Sequence, residues 1–461
     1  MIPIAAQAQG EFNRYFTDET VRMDYYHMGT KGEEKFSLDA IVFDGPWPGS
    51  RVNLIDTLSL GEFQFRVSDL ATGKMLFTRG YSTMFNEWQT TDEAASGVWR
   101  TMSESIRFPN PKKAVQVTIA RRDRNMVFHE LFSCAVDPAN PALIRKEKRQ
   151  GYESYALINN GSPATKVDIV ILGDGYSKDD MEKYRADAKH LNDVMFSTEP
   201  FKSRKGDFNV HVVEVESRDS GIDIPDKDIW KNNALGTTYG TFGLARYVLT
   251  EDNKAFRNAA ASVPYDFICL LINDTRYGGG GIYNLYATTY TAEQTESQKW
   301  QMDYVYVHEF GHSFGGLGDE YYSSSTAYND FYPAGVEPWE PNVTALANPG
   351  GLKWAKFATS GMAIPTHWEK STYDSLEALR GKLNRLAPDY YEKREPLYRA
   401  AMDLLKKSEN SGKVGAFEGS GYASEGLYRP SVDCRMFSLS LVAFDPVCND
   451  AIQRVISFNS K

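Results

Sequence analysis

The chain has 461 residues, 42% hydrophobic and 13% aromatic, a composition that excludes a disordered protein and is long enough for two domains. Acidic residues number 61 against 51 basic ones, and no Lys/Arg cluster offsets the formal charge of −10, so nucleic acid is not an expected partner. No apolar run approaches the roughly 20 residues that span a bilayer, so no transmembrane segment is expected.

Residues 1–10 are expected to lie outside the fold. Ala6 and Ala8 fit an A-x-A cleavage site at the end of a signal peptide, although the charged start and apolar core are missing; a short disordered N-terminus is the alternative. Residues 11–136 read as an antiparallel β-sandwich. Phe63, Phe65 and Val67 alternate with polar neighbours, and the turn Ala71-Thr72-Gly73 leads to a second strand at 74–78, a hairpin signal. Val115, Val117 and Ile119 alternate in the same way. Residues 137–150, with two prolines and the charged run Arg145–Arg149, read as a linker.

From residue 151 to 461 the pattern is α/β. Val167–Leu172 reads as a buried strand running into Gly173-Asp174-Gly175-Tyr176, which lacks the G-x-G-x-x-G spacing of a nucleotide loop. Ser177 is placed to cap a helix reaching about Phe196, and residues 209–215 and 267–272 supply further strands. Gly278–Gly281 reads either as a flexible loop or as a sheet edge at which Gly279, Gly280 and Gly281 let a substrate backbone approach. A helical insert is expected over about 366–410, interrupted at Pro388 or Pro396. Cys134, Cys269, Cys434 and Cys448 are too few for a disulfide scaffold and lack zinc-site spacing. Cys269 reads as a buried thiol, and Cys434 and Cys448 flank a short loop as either a disulfide or two thiols.

The chemistry concentrates between His308 and Glu320. Trp300, Tyr304, Val307, Gly311 and Phe314 recur at helical steps, and Thr295 with Gln298 forms a candidate capping box. On such a helix His308 and His312 share one face, able to bind a single Zn²⁺, with Glu309 beside them toward the metal-bound water. A helix continued to Asp319 would carry that carboxylate roughly 16 Å from His308, too far to share the metal. Gly315, Gly316 and Gly318 are expected to end the helix and turn the chain back. Asp319 and Glu320 both follow the turn as candidate third ligands. The remaining histidines, His27, His129, His190, His211 and His367, have no partner at ligand spacing and read as surface or structural.

The string His308-Glu309-x-x-His312-x-x-Gly315-x-x-x-Asp319-Glu320 resembles the IgA-specific metallopeptidase family of secreted bacterial zinc peptidases. In the wider metzincin pattern the third ligand falls at Gly318; the family pattern places it one residue later. The resemblance therefore implies Asp319 as the ligand, leaving Glu320 in a supporting role. Gly415–Tyr422, Tyr428-Arg429-Pro430 and Cys434-Arg435-Met436 are similar to the family's second signature, and Gly173–Tyr176 extends the likeness. The N-terminal third resembles the β-rich domain that often precedes this peptidase. The implied fold is a two-domain α+β protein, an N-terminal antiparallel β-sandwich followed by a zincin-type α/β metallopeptidase domain. One catalytic Zn²⁺ would be held by His308, His312 and Asp319, with Glu309 as general base. Tyr428 is a candidate oxyanion donor, and Met436 would form a turn under the metal. The implied function is that of a secreted, periplasmic or cell-surface zinc endopeptidase acting on protein or glycoprotein. The rival readings are a catalytically inactive zinc-binding adhesin, which an intact Glu309 argues against, and an amidase cutting cell-wall peptide.

Overall fold

The structure, a computed structural model, describes all residues except 1–3, 143, 146–150, 292–295, 325, 329–330, 349 and 385–388. Helix α1 (Ile4–Tyr15) comes first, so residues 4–10 are its opening turns, and Phe12 on it is buried.

Alternating side chains then build two sheets. Strands β1 (Phe16–Thr30), β2 (Glu33–Pro46), β3 (Phe63–Asp69), β4 (Met75–Tyr81), β5 (Arg100–Pro111), β6 (Val115–Arg122), β7 (Phe128–Val136) and β8 (Ile144–Arg145) pair in the orders β5-β1-β2-β8 and β4-β3-β6-β7. All these pairs are antiparallel except β2 with β8. In β3 Phe63, Phe65 and Val67 are buried while Gln64 and Arg66 are half-buried, the two-residue period of a strand with one face inward. These side chains share one apolar core with Val21, Met23, Ile106 and Phe108 of the other sheet. Short helices α2 (Met84–Trp88) and α3 (Asp92–Ala95) join β4 to β5, and the Thr83 and Thr91 hydroxyls accept from backbone N–H groups of their first turns. Much of the charged run in 137–150 lies outside the described residues.

The second part of the chain has a six-stranded sheet ordered β15-β16-β14-β10-β11-β9. Its strands are β9 (Glu153–Ile158), β10 (Val167–Asp174), β11 (Phe208–Glu214), β14 (Phe267–Ile272), β15 (Gly279–Ile282) and β16 (Tyr286–Tyr290); β12 (Thr237–Thr238) and β13 (Leu249–Thr250) form a separate ribbon. The central strands run parallel, and the edges β9 and β15 are antiparallel. Every residue of β10 and β14 is buried; β14 is apolar throughout, and β10 is so from Ile169 to Leu172, with Asp168 before that run and Asp174 after it. Ser177 does cap the next helix, but through a 3₁₀ turn at Lys178–Asp180 ahead of α4 (Met181–Met195). The Gly173–Tyr176 motif has a structural role. Asp174 accepts backbone N–H groups from Ala234, Leu235 and Thr237 at 2.8–3.0 Å and so folds the loop that leads to β12. Helices α5 (Asn253–Ala260) and α6 (Glu296–Gly315) follow.

The contacts divide the chain into two compact units, residues 1–316, 327–331 and 452–461 in the first, 317–326 and 332–451 in the second. The N-terminal sheets and the six-stranded sheet thus belong to the same unit. Within it Arg107 donates to the Tyr265 carbonyl at 2.9 Å, Ser82 N–H to the Tyr283 carbonyl at 3.0 Å, and the Asn284 amide to the Gly80 carbonyl at 2.9 Å. The second unit holds α7 (Lys370–Gly381), α8 (Tyr390–Lys407) and the hairpin of β17 (Phe417–Ser420) with β18 (Ala423–Arg429). Pro396 lies inside α8 without ending it; the insert is interrupted between Gly381 and Tyr390, the stretch that holds the other expected position, Pro388, itself outside the described residues. The last helix, α9 (Pro446–Asn459), begins in the second unit and ends in the first. Among the described residues no helix is long and apolar enough to cross a membrane.

Candidate active site

Helix α6 carries the histidine pair. Its Tyr304, Val307 and Phe314 are buried as the apolar stripe requires, but so are Met302, Val305, Tyr306 and Phe310, so the helix is enclosed on more than one face. Thr295 lies outside the described residues. Phe310 and Phe314 stack on each other and pack against Phe201, which fixes the helix below the pair.

The His308 and His312 Nε2 atoms lie 3.2 Å apart, with the rings perpendicular. Two nitrogens each carrying a lone pair repel at this distance, and a shared cation removes the repulsion. Two imidazoles bound at about 2.05 Å to one tetrahedral zinc ion have nitrogens about 3.3 Å apart, so the spacing fits the ion. On the far side of the His308 ring, Nδ1 lies 3.0 Å from the Tyr304 hydroxyl. With the proton on Nδ1 donated to Tyr304, Nε2 keeps its lone pair for a metal, the arrangement that orients a ligating imidazole. Glu309 completes the group, its carboxylate within 4.8 Å of the two imidazole donors. The donor set is thus suited to a borderline-soft divalent cation.

Of the three glycines expected to turn the chain, only Gly316 takes a left-handed conformation, with φ +61°. Its N–H donates to the His312 carbonyl at 3.0 Å, an αL stop to the helix. Gly315 is still helical. Gly318 serves packing: a Cβ there would lie 2.8 Å from the Tyr332 hydroxyl and from Val343. Asp319 and Glu320 follow in the second unit, both buried. Tyr422 donates a short hydrogen bond to the Asp319 carboxylate, and Gly421 N–H donates to the Asp319 carbonyl at 2.9 Å. Glu320 accepts from the Asn342 amide at 2.9 Å, and its N–H donates to the Met436 carbonyl at 2.9 Å. Burial and the neighbouring Asp445 carboxylate push the Glu320 carboxyl well above the usual range. Met436 is fully buried in a turn closed by the bond from Phe437 N–H to the Cys434 carbonyl. Tyr428 lies on β18, half-buried, exchanging backbone bonds with Thr344.

The glycine run forms β15, an edge strand packed against α6. A Cβ at Gly279 would lie 2.7 Å from Val305 and 3.2 Å from Glu309 Cγ; one at Gly281 would run into the Glu309 carbonyl. The glycines are required because helix and strand approach so closely. On the outer side, Gly279 exchanges hydrogen bonds with Arg246 and Val248.

No motif announced Glu87, on α2 of the N-terminal part. This buried carboxyl receives hydrogen bonds from the Tyr247 and Tyr328 hydroxyls, the latter at 2.9 Å. Burial pushes its pKa up to about 7 against those donors, and the charges of His312 and Glu309 act on it. An isolated glutamate carries no sequence signal for such a position. The sequence places Tyr304 only on the apolar stripe; its position one helical turn before His308 is the signal that could have marked its contact with that ring.

Residues 155–456 match the family described as IgA Peptidase M64, and residues 11–133 match its Peptidase M64 N-terminus. The chain belongs to the IgA peptidase M64 family. This agrees with the likeness read from the helix motif and the second signature, and it makes the protein a peptidase, which acts on protein substrates. The family is one of metallopeptidases, and α6 provides a group able to hold a metal. No curated protein matches the chain.

Proposed function

We propose that the chain is a zinc endopeptidase in which His308, His312 and Asp319 hold the ion and Glu309 is the general base. The 3.2 Å separation of the two Nε2 atoms, with Tyr304 fixing the far side of the His308 ring, is the observation that carries this reading. When bound, zinc would supply Lewis acidity at this place, polarising a carbonyl and lowering the pKa of water toward about 7. Glu309 removes the proton of the attacking water and returns it to the leaving amine. Tyr304 holds the His308 tautomer, and Tyr422 orients the Asp319 carboxylate. Tyr428 is assigned to the oxyanion. Beside α6 the outer side of Gly279 is already paired, so a substrate strand would take its backbone bonds at Gly281 and beyond. Export, to the medium, the periplasm or the cell surface, belongs to this reading, on the motive of the small residues Ala6 and Ala8, and fractionation of cells and medium checks it.

Incubation with a peptide library from denatured proteins, read by mass spectrometry with chelator and then with added zinc, tests the proposal. Cleavage at internal peptide bonds, abolished by chelator and restored by zinc, is expected. A zinc-loaded chain that cuts nothing would make it a binding protein, and cleavage confined to cell-wall peptide would make it an amidase.

A further inference from the structure

The second unit brings Glu320, Cys434, Asp445 and Cys448 together, with donor atoms all within 4.8 Å of one another. Glu320 and both cysteines are fully buried, and Asp445 is 5% exposed. The Cys434 and Cys448 sulfurs stand 3.8 Å apart, and Cys448 Sγ lies 3.3 Å from Glu320 Oε1 and 3.5 Å from Asp445 Oδ2. Tetrahedral zinc with sulfurs at about 2.3 Å and oxygens at about 2.0 Å would set sulfur from sulfur at about 3.8 Å and sulfur from oxygen at about 3.5 Å. These are the spacings found. A disulfide would instead need sulfurs about 2.05 Å apart.

A second observation points to the same ligand. Glu320 Oε2 has no hydrogen-bond partner among the described residues, although its carboxyl is fully buried. Leaving such an oxygen unpaired is costly, and a cation among the four donors satisfies it. The remaining contacts suit a metal-bound state. Asn342 holds Glu320 Oε1, and the Met436 and Asp445 N–H groups point at Cys434 Sγ from 3.5 and 3.4 Å, as donors that support a thiolate. The buried Arg429 guanidinium adds positive charge near Glu320.

We propose that Glu320, Cys434, Asp445 and Cys448 form a second, structural zinc site. Four protein donors leave no open position, which separates it from a catalytic centre. On binding, both thiols release their protons to solvent and two zinc–sulfur bonds form, with no change of oxidation state. The ion would tie the segment after Gly318 to the Cys434–Met436 turn and to the first turn of α9. The inference rests on these donors alone and stands apart from the reaction proposed above.

The test uses the full chain with His308→Ala and His312→Ala, which removes the α6 site. About one zinc per chain should remain, and cobalt in its place should show thiolate-to-metal charge-transfer absorption. After denaturation in chelator without reductant, all four cysteines should be alkylated. Only two alkylated cysteines would establish a disulfide and overturn the site. Four alkylated cysteines without retained zinc or a thiolate–cobalt band would equally overturn it, leaving a cluster of protonated groups. Cys448→Ser should abolish the cobalt band while Cys134→Ser keeps it; a band that survives Cys448→Ser contradicts the assignment.

Discussion

In the proposed site Tyr304 would act on the metal through His308, and Asp319 would be a ligand itself. Tyr304→Phe removes the acceptor of the His308 Nδ1 proton and should lower zinc affinity about ten- to a hundredfold, as measured by titration of the metal-free chain. Asp319→Ala should abolish high-affinity zinc binding at the α6 site; binding that persists unchanged would remove Asp319 from the ligand set. A different carboxyl is expected to make stability depend on pH. Burial and the neighbouring Asp168 push Asp266 up to about 8. Its folded value lies above the ordinary unfolded value of about 3.9, so its stabilising contribution is full below about pH 4 and is lost as pH rises through about 8. Asp266→Asn keeps an acceptor for the Asp168 N–H and should flatten the fall of the urea midpoint between pH 5 and pH 9. Parallel curves for the two proteins would reject Asp266 as the titrating group. At this scale the sequence was most readable where spacing carries the meaning. His308, Glu309, His312 and Tyr304 follow helical steps, whereas Glu320, Cys434, Asp445 and Cys448 meet through tertiary folding, so no zinc spacing is visible among the cysteines.

Among the elements, the α6–β15 pair sets the most demanding condition. Gly281→Ala would push a methyl group into the Glu309 carbonyl and to within 3.0 Å of His312 Cβ. It should displace helix from strand, lower the melting temperature by several degrees and reduce kcat more than it raises KM. A change in KM alone, with unaltered stability, would show Gly281 to be only a substrate contact. The glycine run was ambiguous in sequence because a loop and a close-packed edge strand both favour glycine, and only the neighbouring helix decides between them. The strands were legible from alternation in β3 and β6 and from the apolar runs from Ile169 to Leu172 in β10 and Phe267–Ile272 in β14. Which of Pro388 and Pro396 interrupts the helical insert is not decided by sequence, because a proline tolerated inside a helix, as Pro396 is in α8, looks there like one that ends it; the break falls between Gly381 and Tyr390.

At the scale of the whole molecule, the N-terminal sheets share a compact unit with the six-stranded sheet, and α2 delivers Glu87 to Tyr247 and Tyr328. The change from alternating to α/β pattern near residue 150 was visible in sequence. This packing was not, because contacts such as Arg107 to Tyr265 leave no periodic trace. The family match spans both parts of the chain, and on the proposed mechanism the chain hydrolyses peptide bonds with a metal held on α6 and Glu309 as base. The measurement that tests this most directly determines zinc content and kcat/KM on one preparation of Glu309→Gln beside the wild type. Undiminished zinc is expected, with kcat/KM lower by at least about a hundredfold, the order that general-base catalysis contributes. Loss of zinc together with activity would make Glu309 a ligand, and full activity with full zinc would remove it from the reaction; either result rules out Glu309 as the general base.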